Sequence, residues 1–106
     1  GLTCRGQLES ADEVFFSAVT PWELGIKRAL GRLAFPDGLA DALEAGGFVE
    51  LAISAVHGER APELPPHHHD PFDRMLVAQA QLESLVLVTA DRALGSYEVE
   101  LLDALL

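Results

Sequence analysis

Apolar and polar positions divide the second half of the chain into a predicted helix followed at once by a predicted strand. Between residues 72 and 82, apolar side chains recur at spacings of three and four, the pattern of a helix with a broad apolar face. Asp70 and Pro71 suit the N-cap and the first helical position, which puts Asp73 at the third, N3. Residues 85–88 form an unbroken apolar run, as in strands that are buried on both faces of a parallel sheet.

The first half of the chain repeats this alternation of strand and helix. Residues 14–19 are rich in β-branched and aromatic residues, and residues 48–53 alternate in a way that suggests a strand near a sheet edge. Capping residues, glycines and prolines bound three predicted helices. These helices run from Thr20 to about Gly31, over residues 39–45, and from Ser54 to the prolines that end it, Pro62 and Pro65–Pro66.

The two ends of the chain carry weaker patterns. Residues 1–13 are polar and show no clear strand, so the tail of a helix is the most that they predict. Residues 91–94 suggest one turn of helix, and residues 99–106 an apolar segment that begins as a strand. Because strand and helix alternate from residue 14 onward, we predict an α/β protein with a mostly parallel sheet flanked by helices.

Length and composition fit one globular domain that covers residues 1–106. Hydrophobic residues make up 49% of the chain and charged residues 23%, unlike a disordered protein. No apolar run reaches the ~18 residues of a membrane span, and the first ten residues lack the apolar core of a signal peptide. The single Cys4 excludes an internal disulfide. These features predict a cytoplasmic protein.

The net charge restricts how the protein can bind nucleic acid. Seven Lys and Arg residues against 17 Asp and Glu residues give a formal charge of −10, which repels polyanions and argues against a broad nucleic-acid-binding face. A metal ion held by carboxylates reverses the sign of the potential locally. Any contact with phosphate is therefore expected at such a local site.

Three carboxylates are placed to meet at one end of the predicted sheet. Glu23 ends the segment Thr20–Glu23, which has the pattern of a capping box, and Asp73 takes the same position in a later helix. Asp91 follows the next strand, and ligands of open α/β sheets bind at the carboxyl ends of the strands. Crowded carboxylates repel one another unless a hard cation binds between them. The chemistry that fits is phosphodiester hydrolysis by a water that Mg²⁺ activates.

The same acids have an ordinary structural interpretation. An acid at N3, as predicted for Glu23 and Asp73, is common helix capping, and Asp91 is a common turn residue. Asp70 is predicted as an N-cap, with a supporting role beside the metal ligands as an alternative. The spacing alone leaves both interpretations open.

Other polar and aromatic residues have less specific signals. The run His67–His69 is more typical of a solvated loop than of a metal site, and Trp22 is predicted to lie in the core rather than to stack on a base. Ser17 and His57 lack visible triad partners, which argues against nucleophilic catalysis. Three basic residues near the acids could bind phosphate or pair with the acids: Lys27, Arg74 and Arg92.

Three motifs of the chain resemble those of the PIN-domain family, in particular the VapC-type toxins of bacterial toxin–antitoxin pairs. They are Ser17–Lys27 with the sequence T-P-W-E, Leu64–Arg74 with D-P-F-D-R, and Leu87–Asp91 with V-T-A-D. Their order and spacing match the family, and the resemblance covers nearly all of residues 14–101. It implies a three-layer PIN-like fold and a Mg²⁺- or Mn²⁺-dependent endoribonuclease, often dimeric, that a VapB-like antitoxin neutralises.

The resemblance also assigns roles to single residues. Glu23 matches the acid of the W-E motif, Asp73 the second acid of D-P-F-D-R, and Asp91 the acid of the T-x-D motif. These three are the implied metal ligands and catalytic acids, with water as the nucleophile. Thr89 matches the hydroxyl residue of the T-x-D motif.

The chain departs from the family at its start. Family members begin with an apolar strand that carries the first catalytic Asp, whereas this chain starts at Gly1 without Met and without a recognisable strand, as if truncated at the N-terminus. In the family the missing strand lies between the strands predicted at residues 14–19 and 85–89. Its absence should leave a gap on the order of 10 Å. The two strands could pair directly, another chain could fill the gap, or the chain could be a fragment; direct pairing is expected to disturb the packing least.

Two other functions compete with the ribonuclease hypothesis. The chain could be a catalytically incomplete PIN remnant that still binds an antitoxin-like peptide through its apolar helical surfaces. Alternatively, it could be a small α/β domain whose acids only cap helices.

Overall fold

The computed structural model describes residues 2–5, 13–67, 69–89, 97 and 101–103. Side chains are described for residues 13–67, 69–86 and 97. Five strands and four helices lie in this part of the chain. In order they are β1 (Leu2–Arg5), β2 (Val14–Ser17), α1 (Val19–Ala29), α2 (Leu39–Ala45), β3 (Val49–Leu51), α3 (Ala55–Glu63), α4 (Pro71–Glu83), β4 (Leu85–Thr89) and β5 (Leu101–Asp103).

The strands form a single sheet with the order β3-β2-β1-β4-β5. β2 pairs with β3 and β4 with β5 in parallel, whereas β1 is antiparallel to both β2 and β4. Four of the five described strands therefore run in one direction. This confirms the predicted α/β class with a mostly parallel sheet, and β3 lies at an edge as its alternation predicted.

The central strand β1 contradicts one prediction and excludes one of the three alternatives for the gap between β2 and β4. Residues 1–13 showed no clear strand in the sequence, yet Leu2–Arg5 lies between β2 and β4, with Thr3 opposite both Phe15 and Leu87. The strands β2 and β4 therefore do not pair directly. Two facing strands left apart would expose two rows of backbone N–H and C=O groups, and a short antiparallel segment satisfies both rows.

The start of α1 also differs from the prediction. The helix begins at Val19, and the backbone N–H of Val19 donates to the hydroxyl of Ser17, which is fully buried at the end of β2, at 3.1 Å. The predicted capping box of Thr20 and Glu23 is therefore wrong, and Glu23 lies in the second turn. Because the hydroxyl of Ser17 accepts from the first free backbone N–H of the helix, α1 can begin at Val19, before Thr20.

The ends of the helices agree with the glycine and proline signals in the sequence. α1 ends next to Gly31 (φ 73°) and α2 next to Gly47 (φ 94°), conformations that suit a residue without Cβ. α3 continues through Pro62 but ends at Glu63, before Pro65 and Pro66, which are also predicted to end it. No helix in the described ranges is both long and apolar enough to cross a membrane.

Helix α4 is the element around which the core packs. Its residues 76–80 are all buried and lie against β4 and α3. Leu82, at the end of the predicted apolar face, is instead 40% exposed. Buried side chains from the neighbouring elements complete the core: Val19, Ala61, Leu64, Leu85 and Tyr97.

The N-cap of α4 is as predicted, and it supports a stability prediction. The carboxylate of Asp70 accepts from the backbone N–H groups of Phe72 at 2.9 Å and Asp73 at 3.4 Å. Asp70→Ala should lower the free energy of unfolding by about 1 kcal/mol, whereas Asp70→Asn, which keeps an acceptor oxygen, should cost much less. Urea unfolding monitored by circular dichroism compares the two variants. Equal losses would contradict a capping role.

Candidate functional site

The direction of the strands brings the starts of two helices to one end of the sheet. α1 follows the carboxyl end of β2 directly. α4 packs on β4 and joins its amino end through Ser84, so the 13-residue helix runs back about 20 Å along that strand. Its first turn, with Asp73 at N3, therefore lies at the carboxyl end of the parallel strands, where open α/β sheets bind their ligands.

An aromatic contact joins these two helices next to the candidate acids. The rings of Trp22 and Phe72 lie 5.0 Å apart between centroids at an angle of 80°. Glu23 follows Trp22, and Asp73 follows Phe72. The contact therefore fixes α1 against α4 at the two residues that precede the acids.

The two acids differ in their surroundings. The side chain of Glu23 is 17% exposed, and its carboxylate pairs with the ammonium group of Lys27 one turn later, at 3.4 Å. Asp73 is half-buried in the first turn of α4, where the helix dipole favours a negative charge. Partly desolvated acids attract a cation more strongly than acids in free solution.

The described part of the site contains two carboxylates but no complete metal site. Mg²⁺ binds through one or two carboxylates and keeps several waters, and Glu23 and Asp73 supply hard oxygen donors of this kind. The described residues include no group of three or more His, Cys, Asp or Glu side chains that could hold a metal. The predicted third ligand, Asp91, and the predicted phosphate contact, Arg92, lie outside the described residues, as does the side chain of Thr89.

Arg74 is bound by the protein's own backbone. Its guanidinium donates to carbonyl groups at the end of α3 and in the turn that follows, and thereby ties α3 to α4. The acceptors are the carbonyl oxygens of Ala61 (3.1 Å), Pro62 (3.3 Å), Leu64 (2.8 Å) and Pro65 (3.1 Å) and the hydroxyl of Tyr97 (3.3 Å). These contacts favour a positioning role for Arg74 over direct contact with a phosphate.

The described histidines serve other purposes. His67 and His69 are exposed, as expected for a solvated loop, and His68 lies outside the described residues. His57 is buried, and its Nδ1 accepts from the backbone N–H of Ser54 at 3.0 Å, so its Nε2 donates to Glu83 at 3.1 Å. His57 therefore caps α3 and joins it to α4.

Trp22 is not a core residue, contrary to the prediction. Its side chain is 60% exposed and borders a groove of about 360 Å³ between α1, α3 and α4. The sequence carries no signal for this exposure, because an apolar face of a helix predicts burial. Helix periodicity places Trp22, Ile26 and Leu30 on one face, and all three are exposed.

The chain matches a known protein family. The family model described as "PIN domain" matches residues 1–100. Neither the curated proteins nor the solved structures include a match. PIN domains are generally nucleases that act on RNA or DNA, typically depend on divalent metals, and often pair with antitoxins. The sheet flanked by helices agrees with this match, and the chain belongs to the PIN-domain family.

Proposed function

We propose that this protein is a metal-dependent endoribonuclease. The observation that supports the proposal most is the packing of α1 against α4 at Trp22 and Phe72, because the next residues, Glu23 and Asp73, lie in the second turn of α1 and the first turn of α4. Membership of a family of nucleases indicates what such a pair of acids does. We assign Asp91 as the third acid on the resemblance of its motif.

In this mechanism the protein positions oxygen ligands and excludes part of the solvent. Glu23 and Asp73 would hold Mg²⁺ or Mn²⁺, which supplies an activated water and neutralises charge on the phosphate. Without the metal, the ammonium group of the half-exposed Lys27 neutralises Glu23. Ion pairs of exposed lysines are weak, so a divalent cation can displace Lys27 from Glu23. Asp70 and Arg74 fix the start of α4 and its contact with α3, and so fix Asp73.

The finer proposal is a VapC-type toxin that acts in the cytoplasm and is neutralised by a VapB-like antitoxin, with a homodimer as the proposed assembly. The order of the three sequence motifs supports this proposal. The charge of −10 also supports it, because an acidic chain attracts an antitoxin with a basic segment. The single Cys4 suits a reducing compartment.

One observation favours a second candidate function. The central strand β1 has the sequence Leu-Thr-Cys-Arg and contains no acid, whereas the family pattern places its first catalytic Asp on a central strand. A PIN remnant that binds a partner without cleaving RNA would have this composition. The two candidates differ in activity, which can be measured directly.

The test is cleavage of a single-stranded RNA oligonucleotide in Mn²⁺, with a DNA oligonucleotide of the same sequence as comparison. The ribonuclease proposal predicts cleavage of the RNA that EDTA abolishes and that Glu23→Gln, purified identically, lacks. Activity that persists in EDTA or in the variant would indicate a contaminant and contradict the proposal. RNA left intact at saturating Mn²⁺ would favour the incomplete remnant.

A further inference from the structure

Trp22 exposes a large aromatic surface next to a candidate catalytic acid. Its side chain is 60% exposed although tryptophan is highly buried on average in folded proteins. Phe72 meets the indole at 80°, so no ring in the described contact stacks parallel to it. An aromatic group in this position offers a stacking surface for a planar ligand.

The groove beside Trp22 has the size and lining of a small-molecule site. Its volume of about 360 Å³ lies within the range of roughly 300–1,000 Å³ for such sites. Its lining comes mainly from α1, α3 and α4 and includes Val19, Ile53, Pro62, Phe72 and Met75 in addition to Trp22. A planar, uncharged, partly apolar group fits this lining better than a phosphate does.

The charge of the groove distinguishes it from the rest of the protein. Among the described lining residues, only Arg74 is charged, and its charge is positive. The chain as a whole carries a charge of −10, which repels the phosphates of RNA. Binding of an anionic strand must then draw on contacts that do not depend on a basic surface, and stacking of bases on aromatic rings is such a contact.

We propose that Trp22 and this groove bind one base of the RNA strand next to the phosphate that is cleaved. The inference rests on the proposed ribonuclease function, since the adjoining Glu23 is what places the base near the reacting phosphate. Stacking on Trp22 supplies affinity and sets the position of the strand. The groove would therefore contribute to the choice of nucleotide at the cleavage site.

The first measurement uses Trp22 as its own probe, because it is the only tryptophan in the chain. A single-stranded oligoribonucleotide of about eight nucleotides, titrated in EDTA to prevent cleavage, should quench the fluorescence of Trp22 saturably. The affinity should depend weakly on salt, because few phosphates are neutralised. A steep dependence on salt without quenching would indicate binding elsewhere and overturn the proposal.

The second measurement compares variants by the anisotropy of a labelled RNA. Trp22→Ala should weaken binding by about 10- to 100-fold, whereas Trp22→Phe should retain most of the affinity. Leu30→Ala removes an equally exposed side chain (61%) from the C-cap of the same helix, outside the groove, and should leave the affinity unchanged. Equal affinity of wild type and Trp22→Ala would refute the proposal, and unchanged unfolding midpoints would show that the variants fold.

Comparing RNA binding with RNA cleavage separates the proposed base-binding site from the proposed ribonuclease activity. If Trp22→Ala binds RNA normally while wild type still cleaves in Mn²⁺, the stacking site is wrong and the ribonuclease stands. If wild type binds through Trp22 but never cleaves, the ribonuclease is wrong and base binding stands. Light scattering without RNA tests whether a second copy of the chain occupies the groove instead. If the wild type is a dimer and Trp22→Ala is a monomer, the groove binds a second copy and the proposal is overturned.

Discussion

Replacing Asp73 by Asn will lower Mn²⁺-dependent cleavage of RNA by at least about 100-fold. The substitution keeps the size of the side chain and one acceptor oxygen but removes the negative charge that holds the metal. Residues that only orient a metal ligand already contribute about 10- to 100-fold to metal affinity or activity, so the loss of a ligand should exceed that range. Single-turnover cleavage at saturating Mn²⁺ measures the effect.

A matched control separates metal binding from helix stability at this position. Asp73 occupies N3 of α4, where a negative charge contributes about 0.3–1 kcal/mol through the helix dipole. Asp41 occupies the equivalent position of α2 and is exposed. Asp41→Asn should cost similar stability and leave cleavage unchanged. If both variants lose activity to the same extent, the loss reflects destabilisation and Asp73 is not a ligand.

Replacing Arg74 by Ala will destabilise the protein by about 2–4 kcal/mol. Five acceptors on the described part of the chain surround its guanidinium, four of them backbone carbonyls between Ala61 and Pro65. Hydrogen bonds from charged donors contribute roughly 1.5–3 kcal/mol each, and their loss leaves partly buried carbonyls without partners. Urea unfolding at constant pH gives the change in free energy.

Arg28 provides the comparison for Arg74. It is an arginine of similar reach that binds the exposed carboxylate of Asp37 at 3.0 Å and lies over the ring of Phe35 at 4.5 Å. Arg28→Ala should cost about 1 kcal/mol or less, as exposed ion pairs do. Normal stability of Arg74→Ala together with weakened RNA binding would instead show that Arg74 contacts phosphate.

The sequence predicts the second half of the fold well, because its signals there are local. Asp70 and Pro71 define the start of α4 through a cap and a fixed φ angle, which depend on few neighbours. The apolar run at β4 predicts a buried strand for the same reason, since both faces of a central strand must be apolar. The resemblance to the PIN-domain family rests on short motifs with fixed spacing, and the family model over residues 1–100 confirms it at that level.

The remaining features depend on tertiary contacts that leave little trace in the sequence. Leu2–Arg5 becomes a strand because two neighbouring strands offer it hydrogen bonds, although its composition is not distinctive. At the start of α1, the hydroxyl of Ser17 rather than that of Thr20 accepts from a free backbone N–H, because Ser17 ends the strand that leads into the helix. Trp22 is exposed and Arg74 is held by carbonyls because of how α1, α3 and α4 meet, which periodicity cannot specify.

The proposed mechanism requires that Glu23 and Asp73 hold one divalent metal ion. Crystals of the protein grown or soaked with Mn²⁺ test this through anomalous diffraction at the manganese edge. We expect a peak roughly 2 Å from a carboxylate oxygen of Glu23 and equally close to one of Asp73. If a protein saturated with Mn²⁺ shows no peak there, or a peak only at other acids such as Asp41, then Glu23 and Asp73 do not share a metal ion.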